Sequence, residues 1–533
     1  MLAFAVIVSP SAWPRAVSSA FAAAVFAFLD VVDVLLCFVY GFLDAVFEDS
    51  PVSCYCHGSH SAAALDDDDE VSDTLYHRRS AVRDALMGLV RGRSGGSPET
   101  ETERRKGRSP RWSDCGCESC RAWQRHDDGR LHFVANQPPP PPNDGAVTTT
   151  QQSGEEDAIF IHGFTSSSSF WATVFRESSI LNNCRMLAVD LLGFGKSPKP
   201  ANCMYRLKDH VEMIERSLID PLNLSSFHLV SHSMGCIIAL ALAAKHPERV
   251  RSITLIAPPY FGACEEKASQ VALKRLAEKK LWPPLQFGSA VMSWYEHIGR
   301  TVCFLVCKNH LLWERLFRLI TGKRDVDFLL GDLTKHTHHS AWHTMHNVIC
   351  GGAMLQDRNL EAVEAAGVPV QVIHGGDDQV VPAECGRHLK AKLPGAELRL
   401  MEGCDHKTVV FGRERGFAEE LRAFWSASHQ NKQLAASASG HTKLTNDNMS
   451  TTGRALLVAL AAVLLVTGDA LLAPAGGQEQ YTKAPAEAHK GYSIVPVGLP
   501  VMEKEEKAWF AGRTIFKIPP APPCRANANA ICC

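Results

Sequence analysis

The stretch 227–249, FHLVSHSMGCIIALALAAKHPER, constrains the fold of this chain more than any other. Strand-forming residues Phe227, Leu229 and Val230 run into the tight sequence Ser231-His232-Ser233-Met234-Gly235. An unbroken helix-forming run follows, from Cys236 to Lys245. A serine at such a strand-turn-helix junction is forced into a strained backbone conformation that exposes its hydroxyl above the sheet. The turn also aims the next backbone N–H, that of Met234, at the same point. Side chains two before and two after that serine must be small, and Ser231 and Gly235 meet the need, although the common pattern has glycine at both places. Ser233 is therefore the candidate nucleophile.

The surrounding text alternates strands and helices. Short apolar strands are predicted at 158–161, 185–189, 252–256, 370–373 and 398–401, with a helix over 207–219 leading into the elbow strand. Such alternation indicates α/β architecture with a doubly wound, mostly parallel sheet. Between Pro258 and Leu355 the alternation lapses into helix-forming runs carrying Trp282, Trp294, Tyr295, Trp313 and Trp342, which predicts a helical cap inserted over the sheet, an apolar wall that excludes water from the site.

A serine nucleophile on such a sheet needs an acid and then a histidine, in that chain order, on loops at strand C-terminal ends. His374-Gly375-Gly376-Asp377-Asp378 follows one strand and Glu402-Gly403-Cys404-Asp405-His406 the next, so the acid is sought at Asp377 or Asp378 and the base at His406. His162-Gly163-Phe164 follows the first core strand, and there the N–H of Phe164 faces that of Met234 as an oxyanion hole. The loop Gly193-Phe194-Gly195-Lys196-Ser197 lacks the spacing of a phosphate-binding loop. The histidines His336, His338, His339, His343 and His346 match no tight zinc spacing, and no metal or other cofactor is expected. A net charge of −2 with no basic face argues against nucleic acid as a partner.

The flanks differ in character. Residues 2–47 are mostly apolar but interrupted by Arg15, Asp30, Asp33 and Asp44. They read as a signal sequence or anchor, or as a membrane-associated helical hairpin with its acids near the interface, rather than as a buried soluble helix. From Glu48 to Asn143 come acidic, Arg-rich and proline runs typical of a linker. It contains Cys54, Cys56, Cys115, Cys117 and Cys120, which could bind zinc or form disulfides, the latter being expected if the chain is exported. After Trp425 a polar stretch precedes Met449, and the apolar run 455–466 resembles a second secretory signal, as in a fused reading frame.

With HGFTSSSSFW (162–171), AVDLLGFGKSPKP (188–200), HLVSHSMGC (228–236), CKNH (307–310), HTHHSAWHTMHN (336–347) and HGGDDQVVP (374–382), residues 157–428 resemble an α/β-hydrolase, and more closely the plant BODYGUARD family of probable lysophospholipases. The likeness extends upstream to FLDVVDVLLCFVYGFLDAVFE (28–48) and SDCGCESCRAW (113–123). It implies a triad of Ser233, Asp378 and His406, with Asp378 chosen because three residues and then proline follow it.

The expected organisation is an apolar segment over 1–50 and a largely disordered linker over 51–156. An α/β-hydrolase core over 157–258 and 356–428, a cap over 259–355 and an extension over 429–533 complete it. The resemblance implies a serine hydrolase of lipid acyl esters with a role in cutin and cuticle formation, at the cell membrane or secreted to the cell wall. The same triad would equally serve an acyltransferase, and the fold also occurs as a non-catalytic ligand receptor.

Overall fold

The computed structural model describes residues 15–48, 71–75, 111–124, 129–136, 156–181, 184–262, 265–278, 280–282, 284–321, 331–428 and 430. The expectations for Cys54, Cys56, the acidic and proline runs and the signal-like segment after Met449 lie outside those residues.

Strands β1 (Phe133–Asn136), β2 (Glu156–Ile161), β3 (Cys184–Val189), β4 (Phe227–His232), β5 (Val250–Ile256), β6 (Val370–Gly375) and β7 (Glu397–Met401) form one sheet in the order β1-β3-β2-β4-β5-β6-β7. All neighbours pair in parallel except β1, which runs antiparallel to β3. The central strands are apolar on both faces, so alternate side chains feed two separate cores. Ile159 and Ile161 join one with Leu229 and Leu255; Ala158 and Phe160 join the other with Val230, Trp171, Phe417 and Trp425. β1 lies in the stretch that the sequence reading assigned to the linker. Its half-exposed side chains give it the weak periodicity of an edge strand, and it is held by pairing with β3.

Helices cover the sheet and fill the insertion between β5 and β6. In chain order they are α1 (Arg15–Phe47), α2 (Glu118–Gln124), α3 (Leu207–Ile214, continued by a wider turn to Ile219), α4 (Gly235–Lys245), α5 (Glu265–Leu276), α6 (Pro284–Trp294), α7 (Glu296–Val306), α8 (His310–Thr321), α9 (His338–Thr344, likewise continued to Cys350), α10 (Gly352–Ala365) and α11 (Ala383–Lys392). The cap runs from α5 to α9, and α10 returns to the core, where Leu360 and Val363 pack into the same cluster as Ile237 and Leu240 of α4.

α1 is one continuous helix, which corrects the hairpin alternative, and its acids face protein. Asp33 Oδ1 accepts from the backbone N–H groups of His297 (2.9 Å) and Ile298 (3.1 Å), so a side chain from α1 caps the otherwise unsatisfied start of α7. Asp44 accepts from both guanidinium ends of Arg300 (2.6 and 2.7 Å), from Arg111 (2.9 Å) and from the Trp112 indole (2.6 Å). Burial alone would raise the Asp44 carboxyl, and these partners outweigh it and hold it below the usual range. Segment 111–124 is thereby ordered against the cap, where the sequence reading placed linker.

Candidate active site

The elbow forms because β4 ends buried and α4 must start at once. Ser233 sits between them at φ +53°, a left-handed conformation that L-residues adopt only where the surroundings enforce it. Its N–H donates to the Ile256 carbonyl at the end of β5 (2.8 Å), and its carbonyl accepts from Cys236 N–H (2.9 Å), which starts α4. Gly235 is required by contact: a Cβ there would lie 2.6 Å from the His162 carbonyl oxygen and 2.9 Å from that of Ile161. Ser231 tolerates the place of the first glycine because it is buried against β5, its hydroxyl donating to the Thr254 carbonyl at 3.4 Å.

The loop after β2 passes over the elbow. Gly163 comes so close that a Cβ there would meet Ser233 Cβ at 3.1 Å. His162 fixes this loop from both sides: its Nε2 accepts from Leu191 N–H (2.9 Å), and Nδ1 donates to the Gly163 carbonyl (2.7 Å). Burial keeps that imidazole neutral by pushing its pKa down, which the pairing requires. Neither Phe164 N–H nor Met234 N–H donates to an acceptor among the described residues.

Behind this loop, Asp190 at the end of β3 is a buried anchor. It accepts from Ser168 N–H (2.6 Å) and Lys196 N–H (2.8 Å), and His132 Nδ1 lies 3.2 Å away. Burial would raise its pKa, yet the His132 contact, the nearby His162 and the two amides drive it far below the ordinary carboxylate value. The Gly193–Ser197 loop thus wraps a carboxylate of its own chain.

Asp378 and His406 meet at the C-terminal ends of β6 and β7. His406 Nδ1 donates to Asp378 Oδ2 at 2.7 Å, and Asp378 Oδ1 accepts from Val380 N–H (2.8 Å) and Val381 N–H (2.9 Å). The Asp378 side chain is fully buried, whereas Asp377 is exposed. A carboxylate on Nδ1 leaves Nε2 of the imidazole as the basic nitrogen, the tautomer that can accept a proton from a hydroxyl. No hydrogen bond joins Ser233 Oγ to the His406 ring among the described residues; such contacts commonly close only around substrate.

Two positioning histidines were not singled out in the sequence. His232, immediately before Ser233, donates from Nε2 to the His406 carbonyl (2.9 Å), ties the His406 loop to the elbow, and stacks on Phe170 at 4.5 Å. Burial, reinforced by the nearby His406, pushes it well below its ordinary pKa, so it stays neutral. His374 donates to the Val381 carbonyl (2.9 Å) and closes the Asp378 loop. Their signal was only their place beside the elbow serine and at the end of β6.

The histidine-rich run 336–346 divides by role. His339 bonds the Cys203 carbonyl (2.9 Å) and His346 the Thr74 hydroxyl (3.0 Å), clamping the cap to the core loop and to residues 72–74. His336 instead faces two cysteines, Cys303 and Cys307.

Comparison with known proteins adds a family. A profile described as alpha/beta hydrolase fold matches residues 159–283. The probable lysophospholipase BODYGUARD 4 of Arabidopsis thaliana is 46% identical over 425 residues, which cover 78% of this chain and 99% of the relative. BODYGUARD 5 of the same plant is 43% identical, covering 77% of this chain and 96% of its own, and BODYGUARD 1 is 40% identical, covering 76% and 95%.

Proposed function

The chain belongs to the BODYGUARD family of α/β-hydrolases, and from that premise we propose that it is a serine ester hydrolase acting on long-chain acyl groups of lipids. The carrying observation is the contact of His406 with the buried Asp378, on loops at the same edge of the sheet as the Ser233 elbow.

In this reading Ser233 Oγ attacks the ester carbonyl while His406 Nε2 takes its proton, and Asp378 stabilises the imidazolium without itself being protonated. The oxyanion forms against the N–H groups of Phe164 and Met234. Collapse breaks the ester bond, and His406 returns the proton to the leaving alcohol. Water then attacks the acyl-enzyme by the same route and releases the fatty acid, regenerating Ser233.

α1 supports action at a lipid surface. Phe21, Phe28, Leu35 and Phe42 recur every seven residues and are all exposed, while Phe26, Asp33, Tyr40 and Asp44 face the cap. A helix whose acids are satisfied by protein and whose opposite stripe is apolar is suited to lie in a membrane interface with the cap beneath it. Together with family membership, this is the basis for proposing a cell-surface enzyme that processes lysophospholipids or cutin precursors during cuticle formation.

Labelling of the purified chain with a fluorophosphonate, followed by turnover of p-nitrophenyl esters of graded length, tests the proposal. Labelling that Ser233→Ala abolishes, with turnover rising toward long chains, is expected. Labelling that survives in Ser233→Ala, or a preference for acetate esters, would overturn it.

A further inference from the structure

Segment 113–124 and the cap bring together four soft ligand atoms that the hydrolase reading does not use. Cys115, Cys117 and Cys120 surround His310, the first residue of α8, with all four ligand atoms within 4.8 Å of one another. Cys117 Sγ lies 3.5 Å and Cys120 Sγ 3.6 Å from His310 Nε2. Zinc bonds of about 2.3 Å to sulfur and about 2.0–2.1 Å to nitrogen, set tetrahedrally, separate such atoms by about 3.6 Å. The other ring nitrogen of His310 meets the Glu314 carboxylate at 3.2 Å, the outer contact that orients a metal-bound imidazole. Cys117 N–H points at Cys115 Sγ (3.5 Å), as an amide does toward a thiolate.

Disulfide chemistry accounts for this cluster poorly. The three thiols are free, and a bridge between any two would leave the third facing an imidazole with no role. A metal ion at this point would use all four donors at once.

A second cluster stands on its own observations. Cys303 on α7 and Cys307 just past its last residue both face His336, with Sγ to Nε2 distances of 3.7 and 3.6 Å. His338 also lies against Cys303, and its buried Nε2 has no partner among the described residues.

We propose that the chain binds two structural zinc ions. Cys115, Cys117, Cys120 and His310 hold the first; Cys303, Cys307 and His336 hold the second, with His338 as the nearest further donor. Borderline-soft zinc suits thiolate and imidazole in tetrahedral array, and the first set, being complete, leaves no open position for catalysis. Each thiol gives up its proton to solvent on binding. The first ion fastens a segment some 190 residues upstream to the start of α8, continuing the attachment that Asp44, Arg111 and Arg300 begin; the second ties α7 to the turn before α9.

Metal analysis of the full-length chain purified with zinc in the growth medium tests this. Close to two zinc per chain is expected. Cys117→Ser/Cys120→Ser and Cys303→Ser/Cys307→Ser should each reduce it to one. His310→Ala should lose one ion, while His310→Cys, which restores a ligand, should keep two; this pair separates ligation from a general failure to fold. Cobalt grown in place of zinc should give tetrahedral thiolate absorption. Less than half a zinc per chain, or non-reducing peptide mapping that finds these cysteines in disulfides, would overturn the proposal. Unchanged content in either double variant would remove the corresponding site.

Discussion

Asp378 presents one carboxylate oxygen to Nδ1 of His406 at 2.7 Å and the other to the amides of Val380 and Val381, so the imidazole is held by an acid that is itself fixed by the backbone. The neighbouring Asp377 is exposed. Two adjacent, chemically identical residues are thus separated by the direction of a single turn.

Asp378→Asn should lower kcat on the order of 10⁴-fold, because an amide would favour the wrong imidazole tautomer. Asp377→Asn should stay within a few-fold of the parent. Steady-state kinetics on a long-chain ester compares them, and equal losses would mean that the orienting acid is misassigned.

Gly235→Ala should cost stability of about 1–3 kcal/mol, the range for overpacking. Its methyl would press on the His162 and Ile161 carbonyl oxygens and displace the loop that carries Phe164. Chemical denaturation together with kcat measures both effects. A fully stable, fully active alanine variant would show that the close approach is not needed.

Arg300→Met should destabilise the chain by about 3 kcal/mol, because it strands the buried Asp44 carboxylate with fewer partners. Adding Asp44→Asn should recover part of the loss, since the penalty comes largely from the unpaired charge. Urea midpoints of the single and double variants decide it; a double variant as weak as the sum of the singles would deny the coupling.

Acid should destabilise the fold well above the carboxylate range. His210 is fully buried, both ring nitrogens lack partners among the described residues, and burial pushes its pKa down to about 4. The unfolded chain protonates that ring near 6.5, so it binds more protons than the folded one between pH 6.5 and 4. The neutral ring's contribution is therefore fully present above 6.5 and is lost as pH falls toward 4, by up to about 1.4 kcal/mol per pH unit. His210→Phe should flatten the slope of stability against pH in that window, measured by urea midpoints; an unchanged slope would point to other groups.

Much of the core was legible because its signals are local. The six strands β2 to β7, the elbow at Ser233 and the loops bearing Asp378 and His406 are each written in a run of fewer than a dozen residues, through hydrophobic periodicity and turn chemistry. The preference for Asp378 rested on its distance from Pro382, a local mark that coincides with the acid whose carboxylate meets His406. The edge strand β1 escaped because its side chains are half exposed and leave little pattern.

What the sequence determined by itself, then, is where six strands and their helices lie along the chain and which serine, acid and histidine follow three of them, since hydrophobic periodicity and turn chemistry are carried by nearby side chains. Tertiary structure alone decided the rest. It set Asp33 on the start of α7, Asp44 between Arg300 and Arg111, His232 under the His406 loop, and three cysteines around a histidine some 190 residues away. The physical reason is the same in each case: a buried charge, a neutral imidazole or a thiol is satisfied by whatever packing brings within 3–4 Å, and no short-range period in the chain encodes that partner.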